Sequence, residues 1–279
     1  MDKRSGGFRP VDTDALGIRD PHVEIDITVA HPARVYDYLL GGKNNYPADR
    51  TVGDHMVERV PTIVDEVRAN RQFLRRSVRA AAREGITQFL DIGTGIPTAG
   101  PTHETAHAID PGARVVYIDN DPIVLVQSRA LLVDDNLTTV ARADARDPAA
   151  VLDHARAHLD FTKPIALMFV GLLYFITDED LAGVLEQYRA AMSEGSYLLI
   201  THALDTPNVK KLAEVYETTS PAVFRSAERI HGLFGDWDLL DPGVVPLHEW
   251  RPDGDELVCR EMLGGMAVKT ARPAAGRGG

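Results

Sequence analysis

The residues best suited to chemistry lie in the segment 88–97, where a short apolar run ends in a carboxylate and two glycines follow. Asp91 closes the run, and Gly93, Thr94 and Gly95 form the turn that leads into helical sequence. Glycines let a backbone approach a ligand where a Cβ atom would collide. The pattern predicts a strand, a loop and a helix that together cradle a nucleotide.

The order of the acid and the glycines distinguishes two kinds of nucleotide ligand. In the dinucleotide fingerprint a third glycine stands three positions after the second, where this chain has Thr98. The carboxylate of Asp91 comes before the first glycine and suits a cationic or hydroxyl-rich ligand. We therefore expect the amino-acid end of S-adenosylmethionine (SAM) at this loop rather than a pyrophosphate.

Two further acids follow the next two predicted strands. The second strand ends at Asp119 and Asn120, where a carboxylate accepts hydrogen bonds from ribose hydroxyls. The third leads to Asp144 and Ala145, where we expect a carboxylate that accepts from an adenine amino group. Since turns into helices also recruit Asp as an N-cap, the three acids indicate a ligand only when taken together.

A polar and aromatic cluster near the N-terminus surrounds a pair of glycines at 41–42. Arg34 and Tyr38 precede the glycines on a predicted short helix, and Lys43 and Asn45 follow them. A hinge before such a cluster suits a lid that folds over a ligand. Lys43 or Arg34 would then meet the methionine carboxylate, and an aromatic ring would face the sulfonium. The alternative is a connection between helices with ordinary surface polarity.

Several of these segments resemble a known family. The glycine loop and the acids at 119 and 144 are similar to the common SAM-dependent methyltransferase fold. The segment 33–46, ARVYDYLLGGKNNY, resembles the signature of a bacterial family once catalogued as a domain of unknown function and later named S-adenosyl methyltransferases. Further matches lie at Asn70–Arg71, 98–100, His103–Glu104, 197–203, 242–246 and 250–252.

The resemblance covers about residues 25–268 and implies both the fold and the cofactor. The implied fold is a Rossmann-like class I methyltransferase sheet, and the implied cofactor is SAM. The resemblance supplies no acceptor. Pro97 departs from the general methyltransferase pattern, in which a third glycine is usual, and it stiffens the loop.

The alternation of strand and helix patterns after residue 85 predicts an α/β sheet. Seven strands are expected near 88–92, 114–118, 138–142, 165–170, 196–202, 237–241 and 256–268. Helices between the first five make a parallel sheet covered on both faces. Turn residues near 253–255 make the last strand an antiparallel insertion. An apolar stripe predicts a long helix from about Thr62 to Glu84, closed by Gly85.

The same patterns divide the chain into four parts. Residues 1–20 and 271–279 are rich in Gly, Pro and Arg and are expected to be disordered. Residues 21–85 form an N-terminal helical extension that serves as the lid. Residues 86–270 form the SAM-binding methyltransferase domain.

Composition limits the partners and the compartment. The chain has 30 basic and 41 acidic residues, a net charge of −11, and no sizeable Lys/Arg cluster, so we expect no nucleic-acid partner. The polar N-terminus shows no secretory signal, and the longest apolar run, 165–176, is too short to span a bilayer. The lone Cys259 fits a reducing cytoplasm and is expected to be a packed strand residue.

Two motifs copy other chemistries without their essential parts. His103–His107 reads as H-E-x-x-H, the zinc-protease motif, but no third ligand is evident and the segment adjoins the glycine loop. Residues 95–102 copy a P-loop except that Pro101 replaces the lysine. We therefore expect no metal site and no ATP hydrolysis.

The sequence thus predicts a cytoplasmic SAM-dependent methyltransferase that acts on an unidentified small molecule. His202 and Tyr174 follow the fifth and fourth strands and are candidate general bases. Methyl transfer requires a base only if the acceptor carries a proton at neutral pH, so the catalytic residue stays unassigned. One alternative is a non-catalytic SAM-binding or regulatory protein. Another is an oxidoreductase that binds NAD(P) on a Rossmann sheet.

Overall fold

The computed structural model of the 279-residue chain describes residues 26–97, 100–131, 136–216, 220–254 and 256–271. The sequence predicts disorder for the terminal segments 1–20 and 271–279, and of these residues all except 271 lie outside the described ranges. Within the described part of the chain, no helix is long and apolar enough to cross a membrane.

One mixed sheet organises the chain. Its strands are β1 Gln88–Ile92, β2 Arg114–Asp119, β3 Thr138–Arg142, β4 Ala166–Val170, β5 Tyr197–Ala203, β6 Asp238–Leu239, β7 Val245–Pro246 and β8 Met262–Val268. Their order is β3-β2-β1-β4-β5-β8-β6, and β7 pairs with β8. The first five strands run parallel, whereas β8 is antiparallel to β5 and lies between β5 and β6. The predicted parallel sheet with a late antiparallel insertion is confirmed.

The last third of the chain differs from the prediction in detail. Within the described ranges the sheet has eight strands, because the short β7 adds to the seven that were predicted. The segment 256–261 was expected to be strand but pairs with side chains instead. The backbone N–H groups of Arg260 and Glu261 lie 3.5 and 3.4 Å from the carboxylate of Glu66. Cys259 is buried as expected, but it precedes the strand.

Nine helices lie in the described ranges. They are α1 Pro32–Leu39, α2 Pro47–Arg59, α3 Ile63–Arg83, α4 Thr102–His107, α5 Pro122–Leu131, α6 Pro148–Arg156, α7 Asp178–Ala191, α8 Pro207–Tyr216 and α9 Ala227–Gly232. The long helix α3 matches its predicted bounds within a residue, and Gly85 follows it with a φ of 88°, a conformation that favours glycine.

Helices cover both faces of the sheet because successive strand residues point to opposite sides. On one face, Leu90 and Leu167 pack with apolar residues of α6 and α7. On the other face, Phe89 and Met168 pack with Phe73 and its neighbours on α3. Each fully buried side chain of this size contributes about 1.5–3 kcal/mol to folding. The sheet is therefore a rigid base for the loops at its edges.

The N-terminal helices lie at the carboxyl edge of the strands. Val35 and Leu39 of α1 share a buried cluster with Leu212 and Val215 of α8. A second cluster joins Ala33 of α1 to residues around the loop after β1 and the start of α5. These two contacts place α1 across the edge at which ligands of parallel sheets bind.

Candidate functional site

A cavity that opens to solvent lies at the carboxyl ends of the parallel strands, and its empty space is about 1020 Å³ when the solvent-filled mouth is included. Loops after four strands contribute to its lining, through Gly93 after β1, Asp119 and its neighbour at the end of β2, Asp144 after β3 and Gly171 after β4. The helices α1 and α3 supply the facing wall, which includes Tyr36.

The turn after β1 depends on its two glycines. Gly93 and Gly95 have φ values of 72° and 63°, in the left-handed region. A Cβ atom on Gly93 would also lie 2.6 Å from the side chain of Leu172. The N–H of Gly93 donates to Ile118 at 2.8 Å, which ties the turn to the end of β2. Gly93, Thr94 and Gly95 all line the cavity, as the sequence predicted for a ligand loop.

Asp119 presents a carboxylate that is held by backbone donors. One oxygen accepts from the N–H of Gly95 and the other from the N–H of Asp121, each at 2.9 Å. Burial raises the pKa of Asp119, and the two N–H bonds oppose that rise. Because each carboxylate oxygen still has a lone pair, Asp119 can accept two further hydrogen bonds. Asn120 lines the cavity beside it.

Asp144 and Ala145 also line the cavity, but the acid already has a partner. Arg146 approaches the Asp144 carboxylate with Nε at 3.0 and 3.1 Å and Nη2 at 2.6 Å. Hydrogen bonding from Arg146 holds the pKa of Asp144 below its ordinary value. We call the part of the cavity formed by Asp119, Asn120, Asp144 and Ala145 the acid-lined end.

Asp91 is placed differently from the other two acids. Its side chain is buried and accepts a hydrogen bond from the hydroxyl of Thr102 at 2.7 Å, and it does not line the cavity. Burial raises the pKa of Asp91 to about 6. The carboxylate thus supports the start of α4, and its predicted contact with the cofactor stays a prediction.

Arg34, predicted to meet a carboxylate of the ligand, is engaged inside the protein. Its Nε lies 3.2 Å from the Asp121 carboxylate, and its Nη1 lies 3.6 Å from that of Asp49. His31 also approaches Asp121, at 3.0 Å. Burial favours a higher pKa for Asp121, but the neighbouring His31 and Arg34 bring it below its ordinary value. This buried network anchors α1 to the end of β2.

The other three predicted lid residues lie outside the cavity lining. The hydroxyl of Tyr38 donates to Asp54 at 2.6 Å, and the amide of Asn45 donates to Asp37 at 2.9 Å. Lys43 is exposed. Their predicted contacts with the cofactor stay predictions.

Three residues that the sequence did not single out as ligand contacts occupy the wall between α1 and α3. The guanidinium of Arg71 lies 5.2 Å from the ring centre of Tyr36, and its Nη2 donates to Thr94 at 3.4 Å. The buried Nε of Arg71 has no hydrogen-bond partner among the residues that the structure describes. Asn70 donates to the hydroxyl of Tyr36 at 3.0 Å and accepts from Thr201 at 2.8 Å. Only the family resemblance, which includes Asn70–Arg71, marked this position.

The opposite end of the cavity is aromatic. The rings of Tyr174 and Phe175 are 4.5 Å apart, and that of Tyr216 is 5.4 Å from Phe175. Burial raises the pKa of Tyr174 well above its ordinary value, and the hydroxyls of Tyr174 and Tyr216 are hydrogen-bonded to each other. We call this region the aromatic end; its lining residues are Tyr36, Leu172, Tyr174, Phe175, Ile176 and Tyr216.

His202, one of the two candidate bases, lies behind this end without lining it. Its Nε2 is 2.8 Å from Nη1 of Arg225, and its Nδ1 is 2.7 Å from the carbonyl oxygen of Ala203. Burial lowers the pKa of His202 to about 4. Arg225 also donates to the carbonyl oxygens of Leu173 and Ile176, so it fixes the loop after β4.

The H-E-x-x-H motif lies on α4, where both of its histidines have partners. Nδ1 of His103 is 2.9 Å from the hydroxyl of Tyr117, and Nε2 of His107 is 2.9 Å from the carbonyl oxygen of Ala113. Among the residues that the structure describes, no group of three or more His, Cys, Asp or Glu side chains is arranged to hold a metal ion.

The strand order, the glycine turn after β1 and the acids after β2 and β3 together define a class I SAM-dependent methyltransferase. The chain belongs to the S-adenosyl methyltransferase family, whose model matches residues 19–270. It is therefore a methyltransferase, and its cofactor is SAM.

Two solved structures are similar to the chain over most of its length. One, from Thermobifida fusca YX and named a "putative methyltransferase", is 41% identical, with a TM-score of 0.85 over 88% of this chain and 97% of that one. The other, a DUF574 family protein from Streptomyces avermitilis MA-4680, is 40% identical, with a TM-score of 0.83 over 88% of this chain and 100% of that one. No match was found among the curated proteins.

Proposed function

We propose that the enzyme transfers the methyl group of SAM to a small-molecule acceptor that binds in the same cavity. The observation that carries the proposal is the continuity of the cavity, which joins the acid-lined end to the aromatic end. A protein that only bound SAM would need the acid-lined end and the glycine turn alone.

The residues at the acid-lined end fit the cofactor. Asp119 has two lone pairs that match the two ribose hydroxyls, and Asp144 with Ala145 forms the edge at which adenine would lie. The turn at Gly93 and Gly95 lets the backbone come close to the methionine part. When bound there, SAM supplies an electrophilic methyl group on a sulfonium.

Arg71 is the residue that we propose for the methionine carboxylate. Its unpartnered Nε and its position beside Thr94 put a cation next to the glycine turn. A buried donor without a partner is costly, and a carboxylate ligand would remove that cost with a strong charge-assisted bond. Arg71 therefore takes the role that the sequence analysis gave to Lys43 or Arg34.

The helical segment before β1 acts in this proposal as the cover of the site. It brings His31, Tyr36 and Arg71 to the cavity from α1 and α3. The protein's part in catalysis is then to position two molecules and to exclude water, which can account for a large share of the rate of such a reaction. Residues 86–270 form the domain that binds the cofactor.

We place the enzyme in a reducing compartment, the bacterial cytoplasm. In support, the thiol of Cys259 is free and fully buried. The net charge of −11 and the mostly apolar aromatic end favour a small molecule over a nucleic acid as acceptor.

Titration calorimetry of the full chain tests the cofactor assignment. We expect SAM and its demethylated product, S-adenosylhomocysteine, to bind with a stoichiometry of one, and NAD to give no heat of binding. The alternative of an NAD(P)-dependent oxidoreductase predicts the reverse. Tight binding of NAD in the absence of SAM binding would refute the proposal.

A further inference from the structure

The order of the strands separates the two ends of the cavity. Asp119 and Asp144 follow β2 and β3, on one side of β1, whereas Tyr174 and Phe175 follow β4 on the other side. The glycine turn after β1 lies between them. If the cofactor occupies the acid-lined end, as proposed above, its methyl group points toward β4 and the acceptor meets the aromatic end.

The aromatic end offers mainly ring faces and ring edges, with the Arg71 guanidinium beside it, 5.2 Å from the ring centre of Tyr36. Tyr174 and Phe175 meet at an interplanar angle of 60°, and Phe175 and Tyr216 meet at 76°. Leu172 and Ile176 complete the surface. Among the described residues that line this end, none is Asp, Glu or Lys. Aromatic molecules gain the most from such a surface, because offset and edge-to-face contacts add to simple burial.

The described titratable side chains at this end are not placed to act as a general base at neutral pH. Burial raises the pKa of Tyr36, Tyr174 and Tyr216, so the three phenols stay protonated and act as donors or neutral acceptors. His202 packs edge-on behind Tyr174, with ring centres 5.7 Å apart, and both of its nitrogens have partners. The titratable groups left on the cavity wall belong to the other end, where His31 lies beside Asp121.

We propose that the acceptor is a flat aromatic molecule whose methylated atom is nucleophilic as bound, without deprotonation by the enzyme. Suitable atoms are an aromatic nitrogen or an ionised aryl thiol. The lone pair of that atom forms a bond to the methyl carbon, the carbon–sulfur bond breaks, and its electron pair returns to sulfur. A thiolate gives a neutral thioether directly. A ring nitrogen becomes an N-methyl cation, which loses a proton to solvent only where the ring also carries an N–H group. The proposal rests on the methyl transfer proposed above.

Three compounds with the same carbon frame test the two parts of the proposal separately. One part is that the acceptor is flat and aromatic, and the other is that the enzyme does not deprotonate it. 2-Naphthol and decahydro-2-naphthol are both neutral and differ in flatness, whereas 2-naphthalenethiol differs from 2-naphthol in being largely ionised near neutral pH. Binding to the full chain saturated with S-adenosylhomocysteine is measured by calorimetry. We expect 2-naphthol to bind about five- to tenfold more tightly than its saturated analogue. Equal affinities would overturn the aromatic acceptor.

Methylation at neutral pH, followed by mass spectrometry with SAM as donor, tests the second part. We expect 2-naphthalenethiol to be methylated and 2-naphthol to react at least about a hundredfold more slowly, since a general base is worth about that factor or more. Comparable rates for the two compounds would show that the enzyme deprotonates its acceptor. No methylation of a bound thiol would overturn the inference too.

Two variants locate the binding. Phe175→Leu and Tyr216→Leu should weaken 2-naphthol about fivefold or more and change SAM affinity less than about twofold. Phe161→Leu, which replaces a ring stacked on Arg156 outside the cavity, is the matched control and should change neither. Equal loss in the control would refute the site. Failure of SAM to bind at all would refute the proposed function, whereas SAM binding without a preference for the flat compound would refute this inference alone.

Discussion

The two ends of the cavity are assembled in different ways. Asp119 and Asp144 belong to strand ends that the sheet itself fixes, and backbone N–H groups orient the Asp119 carboxylate. The rings of the aromatic end come from places far apart in the chain, with Tyr36 on α1, Tyr174 after β4 and Tyr216 at the end of α8. A site on one rigid element keeps its geometry, whereas a composite wall changes whenever any of its elements shifts.

The supports of the two ends differ as well. The acid-lined end is held by hydrogen bonds within the loops that follow the strands. The aromatic end depends on one buried cation, Arg225, which joins the loop after β4 to the segment 223–225 and to His202. The contrast is between hydrogen bonds that are local to each loop and one side chain that joins distant segments. It also gives four ways to test the comparison.

The largest expected effect comes from Arg225→Met. The side chain is 1% exposed and donates to the carbonyl oxygens of Leu173 and Ile176 at 3.0 and 2.7 Å. Its loss leaves buried acceptors unsatisfied, and we expect the free energy of unfolding to fall by about 3 kcal/mol or more in urea denaturation. Arg229→Met is the matched control, because Arg229 pairs with the same Asp178 but is exposed, and it should cost less than about 1 kcal/mol. Equal losses would contradict a special role for the buried cation.

The second effect concerns pH and Asp91. Its pKa is raised from an ordinary 3.8 to about 6, so the folded state binds the proton more tightly than the unfolded state. The stability that this group contributes is present below about pH 4 and is lost as the pH rises through 6, by up to about 3 kcal/mol. Asp91→Asn has no carboxyl group that titrates at this position, so its stability does not fall for this reason as the pH rises. The difference in unfolding free energy between the variant and the natural chain should therefore grow in favour of the variant from about pH 4 to pH 7.

His202, behind the aromatic end, titrates with the opposite sign. Its pKa is lowered to about 4 from an ordinary 6.5, so its contribution is present above 6.5 and is lost as the pH falls through 4. The Asp91→Asn chain keeps His202, and its stability should rise with pH in that window. A difference between the two chains that does not change with pH would contradict the raised pKa of Asp91.

A third effect separates binding from stability at the acid-lined end. Asp119→Ala removes the acceptor proposed for the ribose hydroxyls, and SAM affinity measured by calorimetry should fall by about 1–3 kcal/mol. Asp153→Ala, an exposed acid on α6, is the control and should leave the affinity unchanged. Unchanged affinity in Asp119→Ala would mean that another group holds the ribose.

The smallest effects decide which cation meets the methionine carboxylate. Arg71→Leu should weaken SAM by about 1–2 kcal/mol, since a charge-assisted bond is lost. Lys43→Ala should change the affinity by less than about 0.5 kcal/mol, because Lys43 is exposed and outside the cavity lining. The opposite ranking would restore Lys43 as the carboxylate partner and would mean that the loop 41–46 closes over the ligand.

The sequence predicts where the residues of the acid-lined end lie, because their placement follows from local pattern. Their contacts with SAM stay predictions. An apolar run that ends in Gly93 or Asp119 is a strand end, and parallel strand ends meet at one edge of a sheet. The parallel sheet with its late antiparallel insertion and the bounds of α3 follow from similar periodicities and from the family resemblance.

The wall opposite the sheet could not be predicted in this way. Arg71 reaches the cavity only because α3 crosses the sheet at a particular angle, and no local pattern encodes that angle. The prediction that 256–261 is part of a strand was wrong for a similar reason. The N–H groups of Arg260 and Glu261 face the carboxylate of Glu66, which is distant in sequence.

The contact between Cys259 and Glu66 has a practical consequence for labelling chemistry. The thiol is fully buried, lies 2.6 Å from the carboxylate, and has a raised pKa because of burial. Thiol-directed dyes react with exposed thiolates, so we expect them not to label Cys259, the chain's one cysteine. A dye attached through Lys43→Cys would then report on the loop 41–46 alone, in the otherwise natural chain, before and after SAM is added.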